Sequence, residues 1–163
     1  MGYTHYWSFR KLNENCEYVN CSPNEIPNGA ELFKKSVELF KKYLEHAGGY
    51  TKYPNYGKDA FKKSVLMVLR GWDGRGEPEI TDTRVSFNGN KGRGESCETF
   101  FIDLYGHERC FCKTEHMPYD TAVYVCLLCF KHYFEDNIDV DSDGNEKQLS
   151  YANEVFNEVL ESL

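Results

Sequence analysis

The run Arg109-Cys-Phe-Cys-Lys-Thr-Glu-His-Met-Pro-Tyr-Asp-Thr-Ala-Val-Tyr-Val-Cys-Leu-Leu-Cys-Phe130 decides how the chain is read. Its first six residues alternate and predict a strand, with Cys110 and Cys112 on one face and Lys113 on the other. Thr121 to Phe130 is apolar on almost every side, which predicts a helix buried in the middle of its domain. Pro118 suits a first helical turn, so the helix is expected to begin near it. The polar residues between the two elements then sit at the helix N-terminus, where outward-pointing N–H groups and the helix dipole favour an anion.

Outward from this junction the pattern is one of short strands and amphipathic helices. Tyr3 to Phe9 alternates, with Tyr3, His5, Trp7 and Phe9 on one face. Asn13 to Asn28 reads as a polar loop. Glu31 to His46 has apolar residues at helical spacing and is closed by Gly48-Gly49. Tyr50 to Lys58 reads as a loop, and Ser64 to Leu69 as a short strand. Further strands are expected over Arg84 to Asn88 and Glu98 to Leu104, joined by the glycine-rich loop Gly89 to Gly94. Asp139 to Gly144 reads as a tight turn after a short strand, and Tyr151 to Leu163 as a helix with Ser150 at its N-cap. The expectation is an α+β fold: a mostly antiparallel sheet of about five strands, with helices packed on one face, among them the buried central helix. Residues 1–163 are expected to form a single domain.

Composition removes several classes of function. The chain has 163 residues, 40% hydrophobic and 15% aromatic, and a net charge of −7. That charge argues against a nucleic-acid polymer as partner, which requires a concentrated basic surface. No apolar run reaches the roughly 18–20 residues that span a bilayer, so no membrane partner is expected. Met1-Gly-Tyr-Thr-His-Tyr-Trp7 lacks the basic and apolar regions of a signal peptide, and seven cysteines, an odd number, fit reduced thiols; a cytoplasmic protein is expected. Composition does not fix the oligomeric state.

The densest polar cluster is Cys112, Lys113, Thr114, His116, Tyr119 and Asp120. It reads either as an anion pocket, with Lys113 supplying charge and Thr114 a hydroxyl while Tyr119 and Asp120 orient the ligand, or as ordinary helix capping. Cys126 and Cys129 have metal-ligand spacing but lie in the apolar helix, where packing is the better reading. Asp139-Val-Asp-Ser-Asp-Gly144 opens like a calcium loop, but its twelfth position is Ser150 where a bidentate Glu is needed. Gly89 to Gly94 lacks the context of a phosphate-binding motif and reads as a hairpin loop. No metal and no cofactor are expected.

As a set, Gly2-Tyr-Thr-His-Tyr-Trp7, Gly76-Glu-Pro78, Ser86-Phe-Asn-Gly89, Glu98-Thr-Phe100, Phe111-Cys-Lys-Thr114, Pro118-Tyr-Asp120 and Lys131-His-Tyr133 resemble a family of small bacterial and bacteriophage proteins that brings no established activity. The resemblance covers both ends and the second half; Leu12 to Leu69 is outside it. It singles out His5, Asn88, Glu98, Lys113, Thr114, Tyr119 and Asp120, and Tyr6 beside them offers a ring for stacking. These eight are the candidate ligand contacts. The expected function is binding of a small anionic, nucleotide-like ligand at the strand-to-helix junction, in a phage context the sequestration of a signalling nucleotide. Two alternatives stand beside it: a hydrolase or transferase using His5 or His116 with Glu98 or Asp120 in acid–base roles, and a protein-interaction module in which these residues serve the fold.

Overall fold

A computed structural model describes residues 3–52, 64–106 and 109–163, with 147 and 148 described for backbone alone. The chain runs β1 (Thr4–Leu12), β2 (Tyr18–Asn20), α1 (Gly29–Ala47), β3 (Tyr50–Lys52), β4 (Ser64–Leu66), β5 (Glu79–Ile80), β6 (Arg84–Phe87), β7 (Phe100–Asp103), β8 (Cys110–Lys113), α2 (Asp120–Phe134), β9 (Ile138–Ser142) and α3 (Glu146–Glu161). This is the expected α+β class, and every strand pair among the described residues is antiparallel.

The expected sheet of about five strands is replaced by three smaller ones. In the largest, β1 is the hub: β9 lies along one side, while β8 and then β2 share the other. β3 pairs with β4, and β5-β6-β7 form a third sheet. β8 leaves its sequence neighbour β7 and pairs with β1, Thr4 opposite Lys113 through Trp7 opposite Cys110. The reason lies in side chains. β1 presents His5, Trp7 and Phe9 to one face, all buried, and that row requires neighbours that also bury alternate residues.

Three local readings are corrected. The stretch Asn13 to Asn28 holds β2, and the stretch Tyr50 to Lys58 begins with β3; both strands are three residues long, too short to show a period. The rest of that second stretch lies outside the described residues. Ser150 is not an N-cap: α3 starts four residues earlier, at Glu146. The turn after β9 is as expected, with Gly144 N–H donating to Ser142 Oγ at 3.1 Å.

α2 lies in the centre. Val123, Leu127, Phe130 and Phe134 are buried, as are Cys126 and Cys129. Each such apolar side chain contributes about 1.5–3 kcal/mol through burial. Phe130 meets Phe9, Phe33 and Phe134 at centroid distances of 6.2, 4.8 and 6.1 Å, which ties β1, α1 and α2 together. Trp7 meets Phe100 at 4.9 Å and Phe87 meets Phe40 at 5.5 Å, joining the β5-β6-β7 sheet to the same core. α1 ends on Gly48 at φ 59°, whose N–H reaches Leu44 O, the left-handed cap expected of a glycine there.

Candidate functional site

The junction between β8 and α2 is built by a turn of unusual handedness. Met117 N–H closes onto Thr114 O at 3.0 Å, and the two residues inside the turn, Glu115 and His116, have φ of 49° and 61°. A turn with both central residues at positive φ is ordinarily Asn-Gly. Two side-chain-bearing residues in that region carry strain of about 1–2 kcal/mol each. What the turn achieves is position: Thr114, the residue after β8, faces inward, His116 folds back over Tyr3, and Asp120 opens α2 directly beneath.

There the chain assembles a buried polar cluster. His5 Nε2 and Asp120 Oδ1 are 2.6 Å apart, and the Thr114 hydroxyl donates to the same oxygen at 2.5 Å. His5 and Thr114 are fully buried and Asp120 is 7% exposed. The imidazole of His5 packs edge-on to Tyr3 at 5.1 Å and tilted against Tyr124 at 5.4 Å, and Tyr3 lies 3.8 Å from the His116 ring. His5 Nδ1 is buried with no hydrogen-bond partner. Because Asp120 accepts from Nε2, that free nitrogen presents a lone pair in the neutral ring. Burial, then the charge of Asp120, push the Tyr3 phenol well above its ordinary range. Burial also lowers the pKa of His116, against the opposing pull of Asp120 and with the help of His5.

Of the eight candidate contacts, His5, Thr114 and Asp120 therefore meet. The other five stand apart. Lys113 points to the opposite face of β8 from Thr114, because successive strand residues alternate, and its ammonium pairs with Glu115 at 3.1 Å. Glu98 turns its carboxylate to Lys113 N–H at 2.7 Å and its carbonyl to the Tyr119 hydroxyl at 2.6 Å. The first ties the segment before β7 to β8 and the second ties it to the start of α2. Asn88 is buried and spends its amide on the neighbouring chain: Nδ2 donates to Cys97 O at 2.9 Å and Thr99 Oγ1 at 3.1 Å, and Oδ1 accepts from Gly89 N–H and Cys97 N–H at 2.7 and 3.1 Å. Tyr6 lies on the outer face of β1, with the Arg109 guanidinium 5.9 Å from its ring centroid.

Three further residues belong to the cluster that the set of eight left out: Tyr3, Tyr124 and His116, the last already named in the polar run at the junction. Tyr3 precedes His5 by two in the same alternating strand, which was a readable signal. Tyr124 follows Asp120 by four on α2, one helical turn away, and that spacing was equally readable. Cys112 lies opposite His5 across the β1–β8 ladder but hydrogen-bonds Glu98 O at 3.4 Å, and burial pushes its thiol far above the range in which a thiolate forms. Burial does the same to Cys126 and Cys129. No group of three or more metal-ligating side chains gathers among the described residues, and no described helix is long and apolar enough to cross a membrane. Comparison with protein-family models, with curated proteins and with solved structures finds no match to this chain.

Proposed function

We propose that the protein binds a small molecule at the β1–α2 junction, with His5 Nδ1 as the contact that reads it. The observation that carries this reading is the unpartnered nitrogen itself. Buried polar atoms nearly always have partners, and a group from outside would supply the one that Nδ1 lacks. An Nδ1 lone pair calls for a donor, so the ligand carries an O–H or N–H group. The rings of Tyr3 and Tyr124 pack against the imidazole and His116 covers Tyr3, so a ligand that reaches Nδ1 parts these rings and gains their flat apolar surface. Nucleosides and nucleotides satisfy both demands, which keeps the nucleotide-like class as the first panel to test.

The anionic part of the expectation gains less support. Asp120 already puts a carboxylate in the first turn of α2, and Lys113 faces the other way. A ligand phosphate has to lie outside the cluster, past the Glu115–His116 turn.

A second reading rests on the 2.6 Å contact between His5 and Asp120. A carboxylate that orients one imidazole nitrogen leaves the other able to take a proton from the ligand, the arrangement of a general base. Binding and turnover thus share a site and separate by assay. Thermal shift of the full chain across a nucleoside and nucleotide panel tests the first reading. A stabilising compound whose effect disappears in His5→Phe, with the far-ultraviolet spectrum unchanged, supports it. No shift from any compound in the wild type contradicts it. Chemical change of a stabilising compound on prolonged incubation, lost in Asp120→Asn, establishes the second.

A further inference from the structure

Among the described residues, the face of the β1 sheet opposite the helices carries exposed Arg109, Phe111, Asp139 and Asp141 beside half-buried Tyr6 and buried Ser8, and its charges are sorted by strand. Antiparallel neighbours in register share a face, so Phe111, Tyr6 and Asp141 form one row across β8, β1 and β9. Ser8 and Asp139 form the next row, and Arg109, one residue before β8, continues the alternation there and reaches over Tyr6. Arg109, Tyr6, Ser8, Asp139 and Asp141 border one shallow depression. In the row on the other side of Tyr6, Lys113 stands opposite Thr4, whose N–H donates to Asp143 Oδ2 at 3.2 Å. The β8 edge is therefore Arg109-x-Phe111-x-Lys113 and the β9 edge Asp139-x-Asp141-x-Asp143. Phe111, at 61% exposed, stands in the middle of the basic edge.

We infer that this face is the self-association surface of the protein, and that its occupant is a second copy of the chain. A sheet face with cations on one edge and carboxylates on the other is complementary to itself under one operation. A two-fold axis parallel to β1 lays each copy's β8 over the other copy's β9, row upon row, with Tyr6 against Tyr6. An axis across the strands stacks like charge on like charge. The charge sorting thus selects a closed, isologous dimer. It also disfavours nucleic acid, because the Asp row repels phosphate. Lys113 is already paired with Glu115, so the selective contact is between Arg109 and Asp139 with Asp141. Phe111 and Tyr6 supply the apolar centre. The face is a few short strands wide, about 4.8 Å apart, which places the dimer among weak, concentration-dependent associations.

Sedimentation velocity on the full chain over a concentration series, at low and high salt, tests this. The wild type is expected to dimerise with rising concentration and less so in salt. Arg109→Asp and Asp139→Arg, both at exposed positions, are each expected to weaken the dimer about tenfold or more. The decisive sample is their equimolar mixture. Pairing Arg109→Asp with Asp139→Arg puts opposite charges together at both symmetry-related contacts, so a heterodimer forms where neither variant dimerises alone. A wild type that stays monomeric at millimolar concentration overturns the inference. So does a dimer indifferent to both reversals, or a mixture that remains monomeric.

Discussion

Glu115 and His116 hold the backbone in a region that L-residues avoid, and both stand at the mouth of the buried cluster. Glycine relieves that strain at the cost of more freedom in the unfolded chain. Glu115→Gly is therefore expected to stabilise the protein by about 0.5–1 kcal/mol in urea unfolding, its exposed contact with Lys113 counting for little. A loss of stability would show that the Glu115 side chain does more than turn the chain. His116 gives a second handle at this scale. Its folded pKa lies below the ordinary value because burial disfavours the imidazolium. The unfolded chain takes up that proton near pH 6.5, so below this point the unfolded state holds more protons and the fold loses stability as pH falls. The contribution is fully present above about pH 6.5 and is lost as pH falls through the folded value. His116→Asn, which tolerates positive φ, is expected to flatten the decline in urea midpoint between about pH 7 and pH 5. Parallel wild-type and variant curves would remove His116 from the buried cluster.

The pair Asn88 and Gly89 shows how an element is held in place. Asn88 satisfies the backbone of Cys97 in both directions, and a Cβ on Gly89 would lie 1.9 Å from Glu95 O and 2.9 Å from the Tyr119 ring. The loop that carries Glu98 is thus clamped between β6 and α2. Asn88→Ala leaves buried donors and acceptors without partners and is expected to cost about 2–4 kcal/mol. Gly89→Ala is expected to cost about 1–3 kcal/mol or more through overlap with backbone that cannot retreat. Urea midpoints measure both. At this scale the long elements were legible: β1 by period two, α1 and α3 by helical spacing, and α2 by a run that is apolar on almost every side. The facing of β8 was legible too, and it bears on the site. Placing Cys110 and Cys112 opposite Lys113 already puts Thr114 opposite Lys113, so the two could not share one pocket from a regular strand. What no period reveals is that Glu98, Asn88 and Tyr119 spend their polar groups on neighbouring parts of the fold. Residue type alone does not distinguish a ligand contact from a clamp.

For the whole molecule, the β1 sheet and the β5-β6-β7 sheet share one apolar core through Phe40, Phe87, Phe100, Trp7 and Phe130. Phe130→Ala is expected to destabilise by about 3–5 kcal/mol. The far- and near-ultraviolet transitions should still coincide, because no sheet has a core of its own. A split transition would mean that the sheets are independent. The α+β class followed from the order of elements, but the division into three sheets did not, since strands of two to four residues are fixed by tertiary partners. The pairing of His5 with Asp120, 115 residues apart, is likewise a product of the hub strand meeting the central helix. Nitrogen-resolved NMR of the histidine rings, titrated with the nucleoside and nucleotide panel, tests the central claim most directly. The account predicts that His5 carries its proton on Nε2, with Nδ1 bare in the free protein and shifted on binding. A His5 protonated on Nδ1, or unmoved by every compound that binds, would contradict it.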